Sequence, residues 1–227
     1  MWGMVFGDDV TAPADASAAA WIGDARRGRW GTVGGMVPND FDVFVRVPAP
    51  DRDVGDWWGA YRSLYKLVAS AGAAHTATPQ AWFGVWEGYG WATSTTMYAT
   101  SGRLGWTGRR KVNAERKRLR DEDRRRHEAV RTGLAGVPRF ELPGRVYCLV
   151  GGPLAAVADL REPGSPDRWQ RPDLMWPDDR AWFVASDVDF WSLYVGGSVS
   201  FIDDLAASLP AGTTERVTLE RELVSED

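Results

Sequence analysis

The chain has 227 residues, 44% of them hydrophobic, and a formal net charge of −4. That length holds one large domain, or one domain with an insertion. The charge excludes a chain that is polybasic throughout and an acidic tail protein. A single cysteine, Cys148, rules out a disulfide within the chain and agrees with a reducing compartment. No run approaches ~18 apolar residues, so no membrane span is expected. The lead Met1-Trp2-Gly3-Met4-Val5-Phe6 meets Asp8 and Asp9 at once and has no basic region, unlike a secretory signal. A cytoplasmic protein is expected. Thirteen tryptophans have two readings. One is a core built from large aromatics; the other is a stacking groove for sugars or bases, since an exposed aromatic face is stabilised by what it binds.

In chain order, residues 1–13 read as loosely ordered. Asp15 to Arg27 carries Ala18, Trp21, Ile22 and Ala25 at helical spacing. The loop after it holds G-T-V-G-G (Gly31 to Gly35), which is not G-x-G-x-x-G and follows no strand, so a phosphate cradle is not indicated. Phe41 to Val47 reads as a strand that stops at Pro48. Asp56 is a fair N-cap for a helix from Trp57 to about Ala71, with Trp57, Tyr61, Leu64, Tyr65 and Val68 on one face and Gly72 ending it. Ala81 to Trp86 reads as a strand leading into the aromatic turn Glu87-Gly88-Tyr89-Gly90-Trp91.

From Ala92 the character changes. Thr93 to Thr107 is rich in Ser, Thr and Gly. Arg109 to Arg131 holds eleven Arg and Lys against five acids, so the rest of the chain carries −10. Residues 92–137 read as an insertion whose charged part is a helix too polar all round for a core. It is either a solvated helix with pairs such as Lys117–Asp121 and Arg124–Glu128, or a contact for nucleic acid or an acidic partner. It lacks the interleaved aromatics of a base-stacking surface.

Phe140 to Pro143 resumes the core and Gly144 to Val150 reads as a strand. Pro153 suits the first turn of a short helix to Leu160, and Arg161 to Pro172 reads as a polar loop. Trp176-Pro177-Asp178-Asp179 then forms a turn before the strand Arg180 to Asp189, apolar enough at Trp182-Phe183-Val184 to be covered on both faces. Asp187 and Asp189, two apart, point the same way in an extended chain. Tyr194 to Ser198, with Gly196 and Gly197, reads as a flexible turn, and Ser198 as the N-cap of a helix with Val199, Ile202, Leu205 and Leu209 at helical spacing. Thr213 to Val224 alternates like a last edge strand.

These elements make an α+β domain over residues 14–224: a central mixed or antiparallel sheet, flanking helices and a charged helical insertion. The chemistry is sparse. His75 and His127 are the two histidines, so a zinc site with Cys148 is excluded. Cys148 sits in an apolar strand and reads as packing. Glu87, Asp187 and Asp189 are the carboxylates that a divalent cation or a two-carboxylate glycosidase would need. Equally, Asp187 and Asp189 hold their turn or pair with Arg180 or Arg145. No metal and no cofactor is expected. The candidate ligand site is Trp86, Glu87, Tyr89, Asp187, Asp189, Tyr194, Gly196 and Gly197.

The motifs W-x-G-Y-G (Trp86 to Gly90), F-E-L-P-G-R-x-Y (Phe140 to Tyr147), W-P-D-D-R-A-W (Trp176 to Trp182) and Y-V-G-G-S (Tyr194 to Ser198) occur in that order. By them the chain resembles a family of uncharacterised proteins common in actinobacterial genomes. The resemblance covers roughly residues 20–91 and 138–209. It implies a cytoplasmic setting and carries over no catalytic residue. Three functions are weighed: a non-catalytic binding or interaction protein with a protein partner, immunity-like or regulatory; an enzyme acting on a polar small molecule or glycan through Glu87, Asp187 and Asp189; and nucleic-acid contact through Arg109–Arg131.

Overall fold

The computed structural model describes residues 5–91 and 106–223. In chain order these form α1 (Ala20–Ala25), β1 (Val43–Val47), α2 (Trp57–Ala73), β2 (Gln80–Trp86), α3 (Trp106–Leu134), β3 (Arg139–Leu142) and β4 (Arg145–Pro153). There follow β5 (Arg161–Glu162), β6 (Ser165–Trp169), β7 (Leu174–Pro177), β8 (Trp182–Ala185), β9 (Leu193–Gly197), α4 (Val199–Ala207) and β10 (Glu215–Val217). Eight strands make one sheet in the order β10-β1-β9-β8-β7-β2-β4-β3, and β5 and β6 form a separate hairpin. Each pairing in the large sheet is antiparallel. The architecture is therefore α+β, with its sheet of the antiparallel kind.

Alternation along the strands builds two cores. On β2, Phe83 and Val85 face the layer of α2, α4 and the short helix Leu154–Asp159. Trp82 and Trp86 face the opposite layer, where Ile22, Val33 and Val37 pack on Trp176 and Phe183. Both faces of β8 are thus covered and Trp182–Ala185 is wholly buried.

The sequence places α2 through its stripe Tyr61, Leu64, Tyr65, Val68, Ala69 and Gly72, all buried. The Asp56 side chain accepts from the Gly59 N–H at 3.0 Å, as a cap should. The helix does not end at Gly72. That glycine is where α2 rests on Trp182: the indole Nε1–H donates to the Gly72 carbonyl at 3.0 Å, and an added Cβ would lie 2.5 Å from the ring. Ser198 caps α4 through the Phe201 N–H.

Several local expectations are corrected. Residues 5–13 are not loose: Phe6 and Val10 are buried, and Thr11 exchanges two backbone hydrogen bonds with Gly151 (2.8 and 2.9 Å). Burying two apolar side chains offsets the cost of ordering this arm. Arg161 to Pro172 is not a plain loop but contains the β5–β6 hairpin. Tyr194 to Gly197 is not a flexible turn; it is β9, paired on both sides by β1 and β8. A Cβ on Gly196 would crowd Phe41, Val37 and Phe44, and one on Gly197 would strike Phe201, so these glycines admit neighbouring side chains. Pro153 both ends β4 and is the N-cap of the expected short helix, Leu154–Asp159, one position before its first turn. Trp176-Pro177 belongs to β7, and the turn begins after it.

The charged segment is helical, as its composition suggests. Its pairs include Arg118 with Glu115 (2.6 Å) and Glu122 (3.4 Å), and Arg124 with Asp121 (2.7 Å). In the Glu115 and Asp121 pairs the acid precedes its base by one turn, the order the helix dipole favours. Val130 and Leu134 are buried at its C-terminal end. The Ser/Thr/Gly-rich stretch 92–105 lies outside the described residues.

Candidate functional site

Five of the eight candidate residues border two neighbouring regions, and one arginine gathers three of them. Arg145, on β4, donates through Nη2 to Asp187 Oδ1 at 2.7 Å and to Asp189 Oδ2 at 3.1 Å. Its guanidinium lies over the Trp86 ring, 4.2 Å from the centroid. Asp187 also accepts the Asp189 N–H at 2.9 Å. The acidic pair therefore both holds its turn and clamps a cation. Glu87 borders the same hollow of about 520 Å³ as Trp86 and Arg145, but its carboxylate is taken by Arg139 at 2.8 and 2.9 Å. Each candidate acid is thus engaged by a guanidinium. Tyr194, Gly196 and Gly197 are buried within β9. Among the described residues no group of three His, Cys, Asp or Glu could hold a metal ion.

Tyr89 turns the other way, into a buried polar network that the sequence reading did not single out. Its hydroxyl donates to Asp173 Oδ1 at 2.9 Å and accepts from Arg171 Nη2 at 2.9 Å. Arg171 and Asp173 pair at 3.0 Å with side chains only 2% and 3% exposed. Asp173 also accepts the Trp86 N–H at 2.7 Å. Arg171 Nη1 reaches the Tyr61 hydroxyl and the Asp187 carbonyl, both at 3.4 Å. The Tyr65 hydroxyl closes the cluster on the Pro172 carbonyl (2.8 Å) and Ser186 (3.1 Å). Burial pushes the Tyr61, Tyr65 and Tyr89 hydroxyls up from the ordinary phenol range, so they act as neutral groups. Burial also raises the Asp173 carboxyl, against the opposing pull of Arg171 and the Trp86 N–H. The Nε–H of Arg171 is buried and has no partner among the described residues, the costly state for a guanidinium donor.

Arg171 and Tyr89 form the floor of a cleft of about 850 Å³. The first turns of α2 give one wall, through Trp58, Gly59 and Arg62. The β5–β6 hairpin gives another, through Arg161, Glu162, Asp167, Arg168 and Trp169. Arg126 reaches in from α3, and Val188 and Trp191 close the side. Trp58, 47% exposed, meets Trp169 and Trp191 edge-on, with centroids 6.5 and 6.0 Å apart. Trp191 lies over the Arg171 guanidinium at 5.0 Å. Its φ of 23° lies where a non-glycine residue is strained, and the Tyr61 hydroxyl donates to its carbonyl. The rim cations share few acids: Arg62 pairs with Asp159 (2.8 Å), which Arg161 also approaches (4.0 Å). Arg126 and Arg168 share Glu162 at 3.4 and 3.1 Å.

The sequence held one signal for this site. Gln170-Arg171-Pro172-Asp173 sets an arginine and an aspartate two apart directly before an apolar strand, a pattern that favours an internal pair over two solvated charges. Nothing local marked Trp58, Trp169 or Trp191 as neighbours. Cys148 is buried, and burial pushes its thiol up to about 11, which leaves it inert as a nucleophile. No family model matches the chain, and neither a curated protein nor a solved structure gives a significant match.

Proposed function

We propose that the chain is a non-catalytic cytoplasmic binding protein of regulatory or immunity-like type, and that the arginine–tryptophan cleft holds a small anionic ligand. One observation carries this reading. Arg171 is fully buried at the cleft floor, fixed by Asp173 and Tyr89, and four more guanidiniums, on Arg62, Arg126, Arg161 and Arg168, line the same cleft. An anion in the cleft would be drawn to this cluster of cations. The walls favour the same kind of ligand, since aromatic faces and a few convergent polar groups are the usual make-up of a small-molecule site. Binding is favoured over catalysis because Glu87, Asp187 and Asp189 are each committed to an arginine.

The test is saturation-transfer NMR with aromatic carboxylates, phosphate esters and matched neutral analogues. Anionic aromatic fragments should bind the native protein, and Trp58→Ala or Arg62→Ala should weaken them about tenfold. Mass spectrometry should recover the fragments unchanged. Equal binding by both variants, or no binding fragment at all, refutes the cleft as the site; a changed mass refutes the non-catalytic reading.

A further inference from the structure

We infer that the ligand of the cleft is a nucleoside monophosphate, its base against the indoles and its phosphate on the rim arginines. This rests on the cleft being the binding site. Its volume of about 850 Å³ lies in the upper part of the usual small-molecule range, with room for a base, a sugar and one phosphate. Trp58, Trp169 and Trp191 meet edge-on, so their ring planes form a corner that a flat heterocycle can stack into. Such stacking tolerates any base, because every base has a π-face.

The charges set the rest of the ligand. Four rim guanidiniums, on Arg62, Arg126, Arg161 and Arg168, share two carboxylates, Asp159 and Glu162. With Asp167 also on the rim the surplus is one, enough to draw in a single phosphomonoester, which carries about −1.5 to −2 at neutral pH. Two more acids border the cleft. Asp56 is committed to the first turn of α2 through the Gly59 N–H. Asp167 on the rim offsets one of the four cations, so too little positive charge remains for a second phosphate. Guanidinium forks suit phosphate oxygens in pairs. The cleft takes one nucleotide instead of a strand. Where α3 leaves it, the residues one and two turns before Arg126 on the same face are Asp123, Glu122, Leu119 and Arg118, and the one cation among them, Arg118, is held by Glu115 and Glu122.

The experiment titrates AMP, GMP, CMP and TMP against intrinsic tryptophan fluorescence, with adenosine, inorganic phosphate, 2-naphthoate and a thymidine decanucleotide as comparators. At least one monophosphate should quench the indoles and bind about tenfold tighter than its nucleoside or inorganic phosphate. Trp58→Ala and Arg168→Ala should each cost about tenfold, with the far-UV spectrum and melting temperature unchanged. The Arg168 side chain is 67% exposed, so that variant decides if Trp58→Ala fails to fold. Naphthoate binding that depends on Trp58, without monophosphate binding, overturns the nucleotide and leaves the cleft standing. If neither binds, the nucleotide falls, and the fragment screen decides the cleft. A decanucleotide more than about tenfold tighter than TMP overturns the single-nucleotide ligand in favour of a strand.

Discussion

Asp173→Asn removes the acceptor around which the buried network closes. Three donors converge on that carboxylate: the Trp86 N–H at 2.7 Å, the Tyr89 hydroxyl at 2.9 Å and Arg171 Nη2 at 3.0 Å. An asparagine keeps one oxygen for them and turns an amide donor toward the others. Arg171 then stays buried with its counter-charge gone, a change that costs about 3–5 kcal/mol. For a chain of this size 1 kcal/mol moves the melting temperature by about 2–4 °C, so a drop of roughly 6–20 °C is expected. Equilibrium urea unfolding with an unchanged slope measures the loss directly. The variant Arg171→Met/Asp173→Asn separates charge from packing. It leaves no uncompensated guanidinium, and the asparagine oxygen can still accept from Trp86, so it should be more stable than Asp173→Asn alone. A cost below about 1 kcal/mol for the single change, or a double variant that is worse still, would refute the assignment of a charge-paired network.

Gly72→Ala should destabilise by about 1–3 kcal/mol in urea unfolding, because its Cβ must displace the wholly buried Trp182 ring; a neutral result would mean that α2 can slide on the sheet. Asp179 supplies the pH dependence. Burial would raise its carboxyl, but the Ala77 N–H, the Thr76 hydroxyl and the Ala181 N–H outweigh that and hold it below the usual carboxylate range. A depressed folded value stabilises the fold above the ordinary aspartate pKa of about 3.9 and ceases to as pH falls through the folded value. The stability gap between the native protein and Asp179→Asn should therefore shrink as pH is lowered from 6 towards 2, and a gap independent of pH would contradict it.

What the sequence disclosed follows from the range of the forces involved. The faces of α2 and α4 and their caps at Asp56 and Ser198 are set by residues a few positions apart, and they were legible. So was the covering of Trp182-Phe183-Val184 on both faces, which a run of apolar residues announces. Asp187 and Asp189, two apart at the end of that run, also suit a shared arginine partner, and Arg145 is that partner. The cleft was not legible, because its parts come from α2, the turn after β2, α3, the β5–β6 hairpin and the turn before β9. Arg171 reads as a loop cation until Tyr61, Tyr89 and Asp173 surround it. Gly196 and Gly197 misled for a related reason: a glycine pair signals freedom locally, and only the packed rings of Phe41, Phe44 and Phe201 show that it provides space.

The strand order also dictates when the sheet can be completed during synthesis. β1 joins the sheet through β9, about 150 residues later in the chain, and β10 then closes its outer side. As the nascent chain leaves the ribosome, the β1 segment Val43-Phe44-Val45 has no sheet partner until β9 has been made. The β7–β8–β9 meander, whose neighbours are close in sequence, can form as soon as it emerges. β1 must therefore wait for β9, and a truncation before Leu193 leaves an unpaired apolar strand open to association with other chains.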